Sequence, residues 1–417
     1  MNIIKLSFAA LVLFYGSSVY ASAVQSDSIK QIANITPLDN GLALTPPMCF
    51  STWNTFKMKP TEEVIKRIAD MMVEKGFKDA GYQYVNIDEG WAHGRDENGR
   101  MIPDSTKFPH GMKALADYIH SKGLKAGIYT NLGTTGKGDL GSRGHYDQDM
   151  RTFASWGYDY VKVDVNFIKS KEITDLSVEF AEVSKAIKNC GRPMVFSICN
   201  QGFGNPTNWA PALGNMWRVG KDIDYLSWVE PYQKTQWQGV LYELDRSMAH
   251  PEAARPGAWN DADMMLVGVT KESERLILLT PEETKSHFSL WCVINSPLNI
   301  GADIRNISEQ AKDILTNKEA IAINQDAYGE QARLVNNVDS LQVYSKHLES
   351  ASSGKRGVVL FNRTGKAHDI TVSASMLGLT RKFSVRDLWL KQDMGSFNNY
   401  TVNVPPHGVA LLKITSK

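Results

Sequence analysis

Eight short apolar runs, separated by helix-like stretches at intervals of roughly 35 residues, constrain this chain more than any other feature. They are MCFSTW (48–53), YQYVNID (82–88), KAGIYT (125–130), DYVKVDV (159–165), MVFSI (194–198), NMWRV (215–219), GAWN (257–260) and SPLNIG (296–301). Between them lie amphipathic segments such as TEEVIKRIADMMVEKGF, with Thr61 placed to cap its start, and GMKALADYIHSKG, with Gly123 placed to stop it. Strand and helix alternating eight times over about 280 residues is the requirement of a (β/α)8 TIM barrel. A doubly wound open sheet is the alternative, but no glycine-rich phosphate loop follows the first strand.

From about residue 331 the long helical periodicity stops. LQVYSKHL, RGVVLFNRT, HDITVSAS, KFSVRDLWL and GVALLKI read instead as short strands, with turns at Ser353-Gly354 and Pro406-His407-Gly408. We therefore divide the chain into a barrel over 44–330 and an antiparallel β-sandwich over 331–417. Residues 1–23 combine Lys5, an apolar run from Leu6 to Tyr15 and small residues ending at Ala23, the pattern of a cleaved export signal, followed by a lead-in over 24–43. That run is too short to span a bilayer, so the expected product is periplasmic or secreted, with no membrane partner. The net charge of +1, from 46 basic and 45 acidic residues, argues against nucleic acid and for a neutral ligand. Four cysteines are too few to hold an exported chain of this length together, and a strand between Cys190 and Cys199 would keep them roughly 20 Å apart, beyond disulfide reach. The oligomeric state is not legible.

In a TIM barrel the chemistry sits at the C-terminal ends of the strands. Polar residues collect there: Trp53 and Asn54, Asp88 and Glu89, Tyr129, Lys162 and Asp164, Asn200, Arg218 and Asp222, Asp261 and Asp263. In DYVKVDV two charges alternate with Val161, Val163 and Val165, so Lys162 and Asp164 share one strand face. Taken alone, Asp164 serves equally well as a strand-end cap or the partner of Lys162 in a structural ion pair. Taken together, paired carboxylates among aromatics suit glycoside hydrolysis. A divalent metal site competes, yet the spacing of a calcium loop and the HExxH of zinc are both missing, so no metal and no cofactor is expected.

The segments TPPMCFSTWN, YQYVNIDEGW, FPHGMKALADYIHSKGLKAGIYTN, DYVKVD, WRVGKDID, AWNDADMM and KEAIAINQDAYG, in this order, resemble glycoside hydrolase family 27, the family of α-galactosidases and α-N-acetylgalactosaminidases. The resemblance implies a retaining exo-glycosidase on a (β/α)8 barrel with a C-terminal β-domain. It implies Asp164 as nucleophile and Asp222 as acid/base. Lys162 is then the lysine that binds sugar hydroxyls, its charge also favouring an ionised nucleophile. Arg218 and Asp263 fall at the sugar's 2-hydroxyl, Trp53 looks like the platform under the ring, Tyr129 and Asn200 like pocket residues, and Asp88 like the reader of the 4- and 6-hydroxyls. The implied substrates are galactose-terminated or arabinopyranose-terminated glycans.

The departures are informative. Where the α-galactosidases usually have a second aspartate after Asp88, this chain has Glu89. The extra methylene pushes a carboxylate toward the space of the sugar's C6, which makes a β-L-arabinopyranosidase the competing activity. Phe203, in the loop after the fifth strand, argues against an N-acetyl substituent. Gly90, Val165 and Asn166 stand where the family keeps disulfide cysteines, so those bridges are absent. A sugar-binding protein without catalysis is the reading from another class, and the intact carboxylate pair argues against it.

Overall fold

The computed structural model describes residues 37–133, 141–166, 175–224, 234–270 and 276–417. The export signal at 1–23 and most of the lead-in to residue 43 lie outside them. All eight expected barrel strands form: β1 Met48–Ser51, β2 Tyr84–Asn86, β3 Lys125–Asn131, β4 Tyr160–Asp164, β5 Val195–Cys199, β6 Met216–Arg218, β7 Trp259–Asp261 and β8 Leu298–Ile300. They pair in parallel in the order β8-β1-β2-β3-β4-β5-β6-β7. Just past β7, Met265 closes the ring: its N–H donates to the Asn299 carbonyl at 2.7 Å and its carbonyl accepts from Gly301 N–H at 3.2 Å. Between β2 and the next helix the chain adds a hairpin, Ala92–Arg95 with Met101–Pro103, that the sequence reading did not anticipate.

The helices around the barrel begin as their sequences dictate. In α1, Glu62–Glu74, the Thr61 hydroxyl accepts from Val64 N–H at 3.3 Å. α2, Gly111–Ser121, ends before Gly123, whose φ of 65° is the left-handed conformation that stops a helix. α3 spans Tyr146–Ser155 and α4 spans Leu176–Lys188. Capping boxes start α5, Gln236–Met248, at Thr235 and α6, Pro281–Val293, at Thr280. α7, Glu309–Leu315, and α8, Lys318–Asn324, complete the ring.

Strand alternation sorts the barrel interior into layers. Cys49, Tyr84, Tyr160, Val195, Met216 and Trp259 form an apolar floor, plugged from below by Leu42 and Ala43. Two residues further along the same strands stand Ser51, Asn86, Lys162, Ser197, Arg218 and Asp261. Two further still come Asp88, Asp164, Cys199 and Asp263. The residues between, such as Val161 and Val163, point outward into the helix-covered core.

The C-terminal domain has eight strands, three more than the sequence reading named: β9 Arg333–Val338, β10 Leu341–His347, β11 Lys355–Asn362, β12 His368–Ser373, β13 Phe383–Asp387, β14 Gln392–Phe397, β15 Asn399–Val404 and β16 Val409–Ser416. A six-stranded sheet, β9-β10-β11-β16-β13-β14, faces the pair β12-β15. Val358, Leu360, Leu412 and Ile414 on one face of the large sheet meet Ile370, Val372 and Val404 of the small one. Val359, Phe361 and Leu411 on the opposite face belong to the barrel's own core. All four cysteines are free.

Candidate active site

The strand ends gather six carboxyls and two cations around one pocket: Asp88, Glu89, Asp164, Asp222, Asp224 and Asp263 with Lys162 and Arg218, beside Trp53, Asn54, Asn166 and Met264. A wider open groove of about 900 Å³ lies elsewhere, between the hairpin at 92–103 and α3, and none of these carboxyls lines it.

Lys162, from the middle of β4, points up the barrel axis because Tyr160 before it occupies the floor. Its Nζ donates to Asp88 Oδ2 at 2.9 Å and stands 3.9 Å from Asp164 Oδ2. Burial opposes this ammonium, but Asp88 and Asp164 more than offset it, and the lysine pKa stands well above its usual value. Asp164, at the end of β4, accepts from the backbone N–H of Asn166 at 3.1 Å and from Gln201 Nε2 at 3.5 Å. Burial pushes its pKa up to about 6 from 3.8; the Lys162 charge pulls it down and the Asp222 charge adds to the rise. Asp88 is fixed through its backbone, whose N–H donates to Thr52 Oγ1 at 2.9 Å, and its Oδ1 accepts from Glu89 N–H at 2.9 Å.

Arg218, at the end of β6, ties the opposite wall. Its Nη1 reaches Asp222 Oδ1 at 3.2 Å and Asp263 Oδ1 at 3.1 Å, and its Nη2 donates to the Lys221 carbonyl. Asp222, with its side chain 37% exposed, faces the opening, whereas Asp263 is buried. Asp263 holds a left-handed backbone, φ 73°, which a β-carbon disfavours. Three bonds hold it there: its N–H to Asp261 Oδ1 at 2.9 Å, Ile223 N–H to its Oδ2 at 2.8 Å, and Trp291 Nε1 to its carbonyl at 3.0 Å. Burial raises the Asp263 pKa to about 7, against the pull of Arg218. At the rim Lys57 Nζ stands 5.4 Å from the Trp53 ring centre and 3.3 Å from Asp224.

Two expected pocket residues stand back from it. Tyr129 is buried behind Lys162, whose Nζ lies 5.4 Å from the ring centre, and its hydroxyl is 3.5 Å from Asn166 Nδ2. Asn200 is fully buried and donates to the Phe203 carbonyl at 2.8 Å, so it shapes its own loop. Asn166, Gln201, Lys57 and Asp224 were not named as pocket residues from the sequence. Only Asn166 carried a usable signal, since it stands two residues beyond Asp164 where a turn leaves a free N–H. Trp91 is core, donating to the Tyr129 carbonyl at 2.9 Å. Among the described residues no three His, Cys, Asp or Glu side chains are grouped so as to hold a metal ion.

Such an arrangement can stabilise a cationic sugar centre from one side and supply a proton from the other. The model of the family described as alpha galactosidase A matches residues 45–326, and that of the alpha galactosidase C-terminal beta sandwich domain matches residues 338–414. Alpha-galactosidase A of Cellvibrio japonicus is 41% identical over 90% of this chain and 93% of its own length. The crystal structure of alpha-galactosidase I from Mortierella vinacea superposes with a TM-score of 0.82 at 34% identity, over 91% of this chain and 100% of that one. A β-L-arabinopyranosidase of family 27 from Geobacillus stearothermophilus matches at 26% identity and a TM-score of 0.80, over 92% and 100% of the two chains. The barrel, the pocket at its strand ends, the sandwich behind it and these similarities together establish that the chain is a glycosidase belonging to glycoside hydrolase family 27, the α-galactosidase family.

Proposed function

We propose that the protein is a retaining α-galactosidase in which Asp164 and Asp222 divide the chemistry. The observation that carries this reading is the unequal setting of two carboxyls lining one pocket. Asp164 is buried beside an ammonium and held by a backbone N–H and an amide, whereas Asp222 faces the opening on an arginine. Asp164 attacks the anomeric carbon while Asp222 protonates the departing glycosidic oxygen. Asp222 then takes a proton from water, and that water's oxygen displaces Asp164 from the sugar. Lys162, bonded to Asp88, orients the hydroxyls that Asp88 reads, and Arg218 with Asp263 faces the 2-hydroxyl. The substrates are galactose-terminated glycans, and the pattern of residues 1–23 supports export.

Glu89 supports a second, weaker reading, β-L-arabinopyranosidase, because it is buried in the pocket next to Asp88. The deciding experiment is kcat/KM on the nitrophenyl α-D-galactopyranoside and β-L-arabinopyranoside, which differ only at C6. Preference for the galactoside is expected. Preference for the arabinopyranoside would replace the first reading by the second, and hydrolysis of neither would overturn both.

A further inference from the structure

The rim of the pocket contains a lysine in a backbone that lysine disfavours. Lys57 follows the short helical turn Trp53–Phe56 after β1 and adopts φ 48°, ψ −129°. It takes the first central position of a turn that Lys59 N–H closes on the Phe56 carbonyl at 2.9 Å, where a positive φ ordinarily selects glycine. Its neighbours hold it there. Its own N–H donates to the Trp53 carbonyl at 2.8 Å. Met58, the next residue, is pressed against the turn after β2: a β-carbon built on Gly90 would lie 2.8 Å from the Met58 carbonyl oxygen, and Lys107 Nζ donates to the Met58 and Gly90 carbonyls at 2.9 Å each. A strained backbone held from both sides points to function when its side chain reaches a site.

The Lys57 side chain does reach it. Its Nζ stands 3.3 Å from Asp224 Oδ2 and 5.4 Å from the Trp53 ring centre, close enough for attraction to both. Trp53 and Asp224 line the same pocket but come from distant parts of the barrel, because β7 and β8 stand between β1 and β6 round the ring. The contact therefore joins two walls of the mouth. The Asp224 side chain is only 9% exposed, so water screens this pair less than it would a surface ion pair. Asp224 lies two residues beyond Asp222, whose carboxyl faces the opening and depends for its place on the backbone that carries it. Ile223 N–H ties that backbone to Asp263 Oδ2 at 2.8 Å, and Asp224 ties it to Lys57.

We propose that Lys57 is a positioning residue for the acid/base: through Asp224 its ammonium fixes the segment carrying Asp222 to the loop carrying Trp53, and protonation of the leaving oxygen depends on that bridge. The inference rests on Asp222 being the acid/base. In the glycosylation step the bond from the anomeric carbon to the leaving oxygen breaks, that oxygen keeps the electron pair and takes the proton of Asp222, and Asp164 forms the new bond to carbon. A nitrophenolate departs without a proton, whereas an alkoxide requires one. Displacement of Asp222 therefore slows an alkyl galactoside and largely spares the nitrophenyl one.

The test is kcat/KM on methyl and 4-nitrophenyl α-D-galactopyranoside, read as the methyl-to-nitrophenyl ratio within each enzyme, which cancels differences in folded fraction. Lys57→Met is expected to lower this ratio about tenfold. A ratio that stays the same or rises overturns the proposal. Asp224→Asn is expected to give the same fall, and the two substitutions together no further fall; a second fall of similar size in the double variant would show that Lys57 acts on the leaving group itself and would overturn the bridge. If Lys57→Met does not fold, Lys57→Gly, which suits the backbone at this position, is read in the same way. Asp222→Asn, run in parallel, separates the two claims: turnover of the methyl galactoside at the parent's rate removes Asp222 as acid/base, whereas loss of that turnover with an unmoved Lys57→Met ratio removes only the role of Lys57.

Discussion

The carboxyls of the pocket are placed against their own preference, and function and stability pull on them in opposite directions. Asp164 keeps its proton more tightly folded, to about pH 6, than unfolded, near 3.8. Its contribution to stability is therefore full below the unfolded value and is lost as the pH rises through 6, a penalty on the order of 3 kcal/mol above that point. Asp164→Asn should abolish turnover while raising the melting temperature at pH 8 and leaving it nearly unchanged at pH 3.5, as calorimetry at the two pH values would show. Lys162 is the main influence that lowers the Asp164 pKa. Lys162→Met should therefore shift the acid limb of kcat/KM to higher pH and, by leaving Asp88 and Asp164 without their shared cation, reduce activity roughly a hundredfold or more. An acid limb that does not move would show that Lys162 acts on the sugar alone.

At the scale of elements, the site depends on turns that leave strand ends in defined directions. Gly202 adopts φ 74° and lies against the Val219 carbonyl, so it serves both its own turn and the turn that carries Asp222. Gly202→Ala should lower kcat about tenfold, because displacement of Asp222, the proposed acid/base, costs rate even where strain costs only about 1–2 kcal/mol of stability. Steady-state kinetics beside a thermal melt would separate the two, and an unaltered kcat would show that the turn absorbs the methyl group elsewhere. The eight barrel strands were legible because a parallel strand buried on both faces reads as a compact apolar run. The hairpin at 92–103 and the strands β9, β14 and β15 were not. Residues such as Asn337, Gln392, Asp393 and Asn399 carry exposed polar side chains, and there pairing rather than burial makes the strand.

Over the whole molecule, one face of the sandwich's large sheet joins the barrel's apolar core. Trp237 of α5 stacks on His407 at 5.3 Å between ring centres and meets Phe361 at 5.9 Å, and Trp389 Nε1 donates to Ser289 Oγ at 2.9 Å. Ion pairs join Arg386 to Glu319 and Arg363 to Asp245. Because α5 also carries Glu243, whose buried carboxyl lies against Gly220, the sandwich braces a helix that touches the turn carrying Asp222. A chain ending at residue 330 should expose this face and aggregate, and the full chain should melt in one transition. Two well-separated calorimetric transitions would show instead that the domains fold independently. Sequence by itself determined the number of barrel strands, the class of the barrel, the strand-end positions of the catalytic candidates and the common face of Lys162 and Asp164, because these follow from local periodicity and chain order. Only the tertiary structure decided that Asn200 turns into its own loop, that Asp263 is held in a strained backbone, and that Glu243 stands behind Gly220. Those facts depend on which distant segments meet and on the space they leave, and no local pattern of residues encodes either.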